Sequence, residues 1–315
     1  MANRSTMSKA NKTFTSKNKA DYIFVGVMLL YPLLMFAIFY LGVNINSIIL
    51  AFQKIDIYGN TSSAGFGNFI DFINMLSGDD GYLSIGFSNS IKMYAINLVI
   101  CMPLYIFFSY ILYKKCRGHK SMRAIIMIPQ IVSTMLIAMV FRKFVEWALP
   151  DIMIKAFNLD KFPNLLTNPA YSFGTNIFYM IWVSFSVSLI VYPNAMNEIP
   201  SEVIESAQID GVDNMMTELW YIILPLIYPT LSTFLITGFA GILTNAGPLV
   251  VFYMYAAPYE TYNMGYYYFV KVMRATSFNG YPLLAAGGLL MTIFVAPLTH
   301  LFKYLLERFG PVAEY

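Results

Sequence analysis

Long stretches without Asp, Glu, Lys or Arg set the pattern of the chain: residues 22–53, 93–113, 124–141, 162–197, 219–259 and 277–302. An α-helix needs about 20 largely apolar residues to cross a bilayer core. Each stretch holds one such helix, with the one at 124–141 near the lower limit. The pattern predicts helices near 22–43, 89–113, 123–145, 173–196, 221–243 and 281–306. The fold class is therefore an all-α integral membrane protein of about six transmembrane helices. The stretch 219–259 is long enough to raise a seventh, but Asn245-Ala246-Gly247-Pro248 breaks a helix and Leu249–Tyr255 is too short to span. Whether 246–280 includes a re-entrant segment stays open. The first stretch is too long for a secretory-signal core and has no convincing small-x-small cleavage site after it, so it is read as an anchor.

Composition sharpens this reading. Of 315 residues, 58% are hydrophobic and 12% charged, where a soluble domain carries about 25% charge. Disorder, coiled coil and a disulfide scaffold are excluded. Cys101 and Cys116 make no framework, and His119 and His300 have no ligand-spaced partner, so no metal site is expected.

Basic residues set the orientation. Arg4, Lys9, Lys12, Lys17 and Lys19 lie in the tail 1–21, and Lys114, Lys115, Arg117, Lys120 and Arg123 lie between spans 2 and 3. Both segments are expected in the cytoplasm, and the tail 307–315 returns there after an even number of spans. The loop 44–88 is then external, with Asp56, Asp71, Asp79 and Asp80 against Lys54.

One segment breaks the rule. The cytoplasmic loop 197–220 contains Glu198, Glu202, Glu205, Asp210, Asp213 and Glu218 but no base. Its grammar is helix, stop, helix. Pro200 or Ser201 suits a first turn, Gly211 a left-handed residue past a helix end, and Asp213 an N-cap for a helix running into span 5. Val203, Ile204 and Ala207 form an apolar stripe that should pack on the bundle. Pro225 and Pro229 fall at the start of span 5.

Here the sequence resembles a family. Glu205-Ser206-Ala207-Gln208-Ile209-Asp210-Gly211, followed by Leu224-Pro225 and Pro229, is similar to the EAA loop of permease subunits of bacterial ABC importers. Ser206 replaces the first alanine. Ile199-Pro200 and the Leu-Pro-Leu-x-x-Pro run resemble the carbohydrate branch, the MalF/UgpA type. Phe66-Gly67-Asn68-Phe69, Asn89-Ser90, the Arg123…Pro129…Ser133 series and Leu243-Thr244-Asn245-Ala246-Gly247-Pro248 resemble further stretches of that branch, the last with Ala246 for a glycine.

The resemblance implies a mechanism. The EAA helix docks in a groove of a separate ATPase, with Glu205, Ser206, Ala207, Asp210 and Gly211 as the coupling residues. Glu205 and Asp210 face complementary charge there, leaving Glu198, Glu202 and Glu218 as rim or solvated charges. The implied partners are a second homologous permease, two ATP-binding cassette subunits and an extracytoplasmic solute-binding protein. The implied location is a bacterial cytoplasmic membrane.

The chain has no Gly-Lys dipeptide and hence no Walker A loop. It is expected to be a transport subunit rather than an enzyme, with no cofactor of its own and with ATP and magnesium on the partner ATPase. Ionisable groups are nearly absent from the spans, unlike in ion-coupled carriers. Candidate path residues are Asn97, Gln130, Ser133, Ser184, Ser186, Ser188, Asn194, Thr233 and Thr237, whose uncharged amides and hydroxyls suit a sugar or oligosaccharide; helix–helix hydrogen bonding is the competing role. The tyrosines at 253, 255, 259, 262, 266, 267 and 268 suit an interfacial belt, loop packing or sugar stacking. A polytopic membrane enzyme and a channel-like homo-oligomer remain as alternatives.

Overall fold

The computed structural model describes residues 19–56, 58–275 and 278–311. Arg4, Lys9, Lys12 and Lys17 lie outside these residues, as do positions 312–315. Among the described residues four helices are long and apolar enough to cross a membrane: α1 (Tyr22–Ala51), α3 (Gly81–Tyr113), α7 (Pro169–Asn197) and α13 (Tyr281–Phe309, preceded by a 3-10 turn). A bent pair, α9 (Met215–Leu226) and α10 (Tyr228–Ala240), makes a fifth if it counts as one span. The bend is 69° and centres on Ile227, between Pro225 and Pro229. Neither proline has an N–H to donate, and a proline ring clashes with the preceding turn, so two of them four residues apart break the helix there.

The stretch expected as the third span is in pieces. Helix α4 (His119–Ile131) ends at Val132, and Val132 and Ser133 are extended before α5 (Thr134–Lys143) begins. A π-helical turn at Phe144–Ala148 then leads into α6 (Leu149–Phe157). Neither α4 nor α5 alone is long enough to span.

The all-α expectation misses one element. Strands β1 (Gln53–Ile55) and β2 (Thr61–Ser63) pair antiparallel, Lys54 opposite Ser62. Their turn is built on Asp56, whose Oδ1 accepts from the Tyr58 and Asn60 amides, both at 2.9 Å. Asn68 at the start of α2 (Gly67–Asn74) donates to Ala51 O at 2.8 Å and Gln53 O at 2.7 Å, tying the hairpin to the end of α1.

Two buried clusters hold the bundle. One, at the end carrying the acidic loop, joins Tyr105 and Tyr110 of α3, Tyr192 and Met196 of α7, and Leu219, Ile223, Ile227 and Leu231 of α9 and α10. The other joins Leu83, Ile137, Phe141 and Tyr179 to Phe252, Tyr253, Tyr262, Met264, Tyr266 and Tyr267. The second cluster organises the segment between α10 and α13. The described residues of that segment form the short helices α11 (Leu249–Tyr253) and α12 (Met264–Met273) with a 3-10 turn at Tyr259–Thr261 between them, none long enough to be a seventh span. Its tyrosines mostly pack inward: Tyr253, Tyr262, Tyr266 and Tyr267 are buried. Gly265 lies hard against the backbone of the 244–246 turn, since a Cβ there would lie 2.5 Å from the Ala246 nitrogen.

The segment is anchored on α3 by side chains. Asn89 donates to Glu260 O and Tyr262 O, each at 2.8 Å, and Ser90 Oγ accepts from the Met264 amide at 3.0 Å. Outside the span, Asp80 caps α3 by accepting from the Tyr82 amide at 3.0 Å, pairs with Lys271 at 3.0 Å and accepts from the Tyr267 hydroxyl at 3.0 Å. Burial pushes the Asp80 carboxyl up, but the Lys271 and Tyr267 hydrogen bonds and the Lys271 charge outweigh it and hold the group below its ordinary value. A carboxyl lowered on folding contributes stability that is complete above its unfolded value and is lost as pH falls through the folded one. Asp80→Asn should therefore lower the unfolding temperature in detergent at neutral pH. The gap to the native chain should narrow as pH falls below about 4. A gap that stays constant into that acid range would remove this account.

Candidate functional site

The acidic loop folds as its local chemistry directs. Helix α8 spans Ser201–Ile209 with Pro200 at its N-cap and Glu202 in its first turn, where a carboxylate complements the helix dipole. Ile204 and Ala207 are buried and Val203 half-buried, so the apolar stripe faces the bundle. Ile204 joins the same buried cluster as Tyr110, Leu219 and Ile223.

The helix stops at Gly211. The Val212 amide donates to Ala207 O at 3.0 Å and the Gly211 amide to Gln208 O at 3.2 Å, the paired bonds of a Schellman end. Gly211 has φ of +96°. A Cβ there meets no atom within 4 Å, so the demand for glycine is conformational rather than steric. Gly211→Ala should cost about 1–2 kcal/mol, and Gly211→Asn less, because Asn tolerates the left-handed region. Unfolding temperatures in the order Gly, Asn, Ala would fit this; an unchanged alanine variant would not. The next helix is capped by Asn214, whose Oδ1 accepts from the Met216 amide at 3.1 Å, rather than by the expected Asp213. The two neighbours carry the same kind of acceptor, and the backbone turn after Gly211 decides between them.

The side of α8 away from the bundle presents Glu202, Glu205, Ser206, Gln208 and Asp210 to the surface, with Ile209 86% exposed. Glu198 and Asp213 flank them and are exposed too. Among the described residues none of these carboxylates forms an ion pair. Of the five coupling candidates, four lie on this open face and Ala207 lies beneath it.

Glu218 departs from the expected rim charge. Its side chain is 6% exposed and its Oε1 lies 2.6 Å from Lys114 Nζ at the end of α3. A carboxylate held this far from water needs a paired cation, and the first base after span 2 supplies it. Spacing along the chain gave no sign of this pair, because its members are 104 residues apart.

The path candidates do not gather in one cavity. Asn97, Ser133, Thr233 and Thr237 are exposed on the bundle surface, and Ser184 and Ser188 are half-buried. Ser186 is buried and donates to Val183 O at 2.7 Å. Thr233 donates to Pro229 O and Thr237 to Thr233 O, each at 2.8 Å within α10. Asn194 accepts from Arg123 at 3.1 Å, joining the start of α4 to the end of α7. The Gln130 side chain lies outside the described residues. A cavity of about 880 Å³ between α1, α10 and α13 is lined instead by Asn44, Ser47, Thr244, Thr292, Thr299 and His300 among others.

Similarity to known proteins bears on this arrangement. The chain is 28% identical over 145 residues to the multiple sugar-binding transport system permease protein MsmF of Streptococcus mutans, a match covering 42% of this chain and 49% of that protein. It therefore spans about half the length of that relative. It is 23% identical to the arabinooligosaccharides transport system permease protein AraP of Bacillus subtilis, over 69% of this chain and 66% of that one. A chain of a bacterial alginate ABC transporter, solved with an alginate pentasaccharide-bound periplasmic protein, superimposes with a TM-score of 0.77 at 20% identity, over 93% of this chain and 98% of that one. A chain from a bacterial ABC transporter that imports the acidic polysaccharide alginate gives 0.75 at 21% identity, over 92% and 97%. Identities of that size speak for the fold. The model of the family described as "binding-protein-dependent transport system inner membrane component" matches residues 87–313, from the second turn of α3 through the acidic loop and α13, so the chain belongs to that family.

Proposed function

We propose that this permease is one of two membrane-spanning subunits of an ATP-driven importer for a sugar or oligosaccharide, and that α8 is its coupling helix. The observation that carries the proposal is the open face of α8. Glu205 and Asp210 point away from the bundle without ion-pair partners among the described residues, while Ile204 and Ala207 fix the same helix to the spans. A carboxylate face on a rigid helix suits a basic groove on an ATPase. As a permease subunit the chain is not itself an enzyme, and ATP and magnesium are assigned to that partner.

In this reading α4 and α5 together cross the membrane despite their break, which makes six spans with α9 and α10 counted once. The ends of the chain and α8 are cytoplasmic, consistent with the bases between α3 and α4. The protein sits in a bacterial cytoplasmic membrane and receives its cargo from an extracytoplasmic binding protein. Exposed amides and hydroxyls at Asn97, Ser133, Asn194, Thr233 and Thr237, with the half-buried Ser184 and Ser188, supply half of a path that the second permease completes, and Gln130 is assigned to the same path from its place in the sequence. The sugar assignment is supported by the carbohydrate cargo in the names of the relatives.

An affinity-tagged chain extracted from its native membrane should co-purify with an ATPase and a second permease. Recovery as a lone homo-oligomer overturns the reading.

A further inference from the structure

We propose that Lys114 and Glu218 form a permanent clamp that carries the displacement of α8 into the second span, α3, and so act as positioning residues for coupling. The inference rests on the coupling role proposed for α8.

Glu218 stands apart from the other carboxylates of the loop. The rest are exposed; its side chain is 6% exposed and that of Lys114 23%. The ammonium sits 2.6 Å from one carboxylate oxygen and 2.7 Å from the other. It also faces the rings of Tyr110 and Tyr113, at 5.7 and 5.9 Å from their centroids. The pair therefore lies at the edge of the buried cluster that contains Tyr110, Leu219, Ile223 and, from α8, Ile204. Lys114 follows the last turn of α3, and Glu218 closes the first turn of α9, just before the π-helical turn Leu219–Ile223.

Packing alone would hold these helices together, and a buried ion pair adds little net stability over an apolar pair of the same size. What the ion pair adds is register. Apolar surfaces can slide past one another at modest cost, whereas sliding here would leave a buried charge unpaired. A push on α8 then moves the start of α9 and the end of α3 as one body, rather than shearing the contact between them.

The test uses the whole complex, purified with its ATPase and second permease and placed in liposomes. Cys101 and Cys116 are replaced by Ser, and Val99, exposed midway along α3, becomes Val99→Cys carrying a fluorophore. The readout is the fluorescence change on adding ATP and vanadate, normalised to the ATPase bound. Glu218→Gln and Lys114→Met should each reduce it about fivefold, and the exchanged pair Lys114→Glu with Glu218→Lys should restore at least half. An undiminished signal in the assembled single variants overturns the clamp.

If the single variants do not assemble, Lys114→Cys with Glu218→Cys joined by a short thiol cross-linker decides. A signal retained in the linked complex supports a clamp that stays closed, and its loss on linking overturns permanence. Failure to recover any ATPase with the native chain defeats the functional reading instead, so the two failures are distinguishable.

Discussion

Glu205→Lys should abolish substrate-stimulated ATP hydrolysis by the assembled importer while leaving membrane insertion intact. The two halves of that expectation have separate grounds. Glu205 is exposed on α8 and forms no ion pair among the described residues, so its replacement breaks nothing within the chain. Lysine has a helix propensity close to that of glutamate, so α8 should persist. At a docked interface the same change sets like charges against each other, which costs several kcal/mol. ATP hydrolysis and transport in liposomes, alongside the amount of chain in the membrane, check both halves. Normal coupled transport by the variant would sink the coupling role of α8.

Asn89→Ala should produce a large loss of stability. The amide is buried and donates to two carbonyls, Glu260 O and Tyr262 O. Alanine leaves the buried Tyr262 carbonyl and the part-buried Glu260 carbonyl without this donor, at about 1–3 kcal/mol each. The combined effect, roughly 2–6 kcal/mol, falls at the upper end for point mutations. The damage should be local at first, because the partners lie in one connecting segment. Amide hydrogen exchange in detergent should quicken across 249–273, with α8 unaffected, and the unfolding temperature should fall. Unchanged exchange in that segment would show that Asn89 is not its anchor.

The parts of this architecture that the sequence makes legible are those decided by near neighbours. Ile204, Ala207 and Gly211 lie within one short stretch, and their spacing alone places a buried stripe and a left-handed stop. The charge-free stretches likewise report helices directly, because lipid tolerates few ionised groups. Long-range decisions are hidden. Glu218 looks like its five exposed neighbours until Lys114 is folded against it. Asn89-Ser90 reads as a motif, but the backbone carbonyls and amide it serves are some 170 residues away. The hairpin at Gln53–Ser63 is too short for an alternating pattern to stand out, and it depends on the Asp56 turn and on Asn68 bonds to Ala51 and Gln53. The break at Val132–Ser133 carries no glycine, and Pro129 lies three residues before it, so a continuous span is the natural expectation there.

The 69° bend at Ile227 gives the α9–α10 pair the shape of a crank. A straight rod pushed at one end mainly slides along its own axis. An elbow turns the same push into torque about the corner, so the far arm swings sideways. Helix α10 is that far arm, and Thr233 and Thr237 ride on its exposed side. A small stroke at the membrane surface would thus arrive in the interior as a lateral sweep of two hydroxyl groups, with the prolines fixing the corner about which it turns.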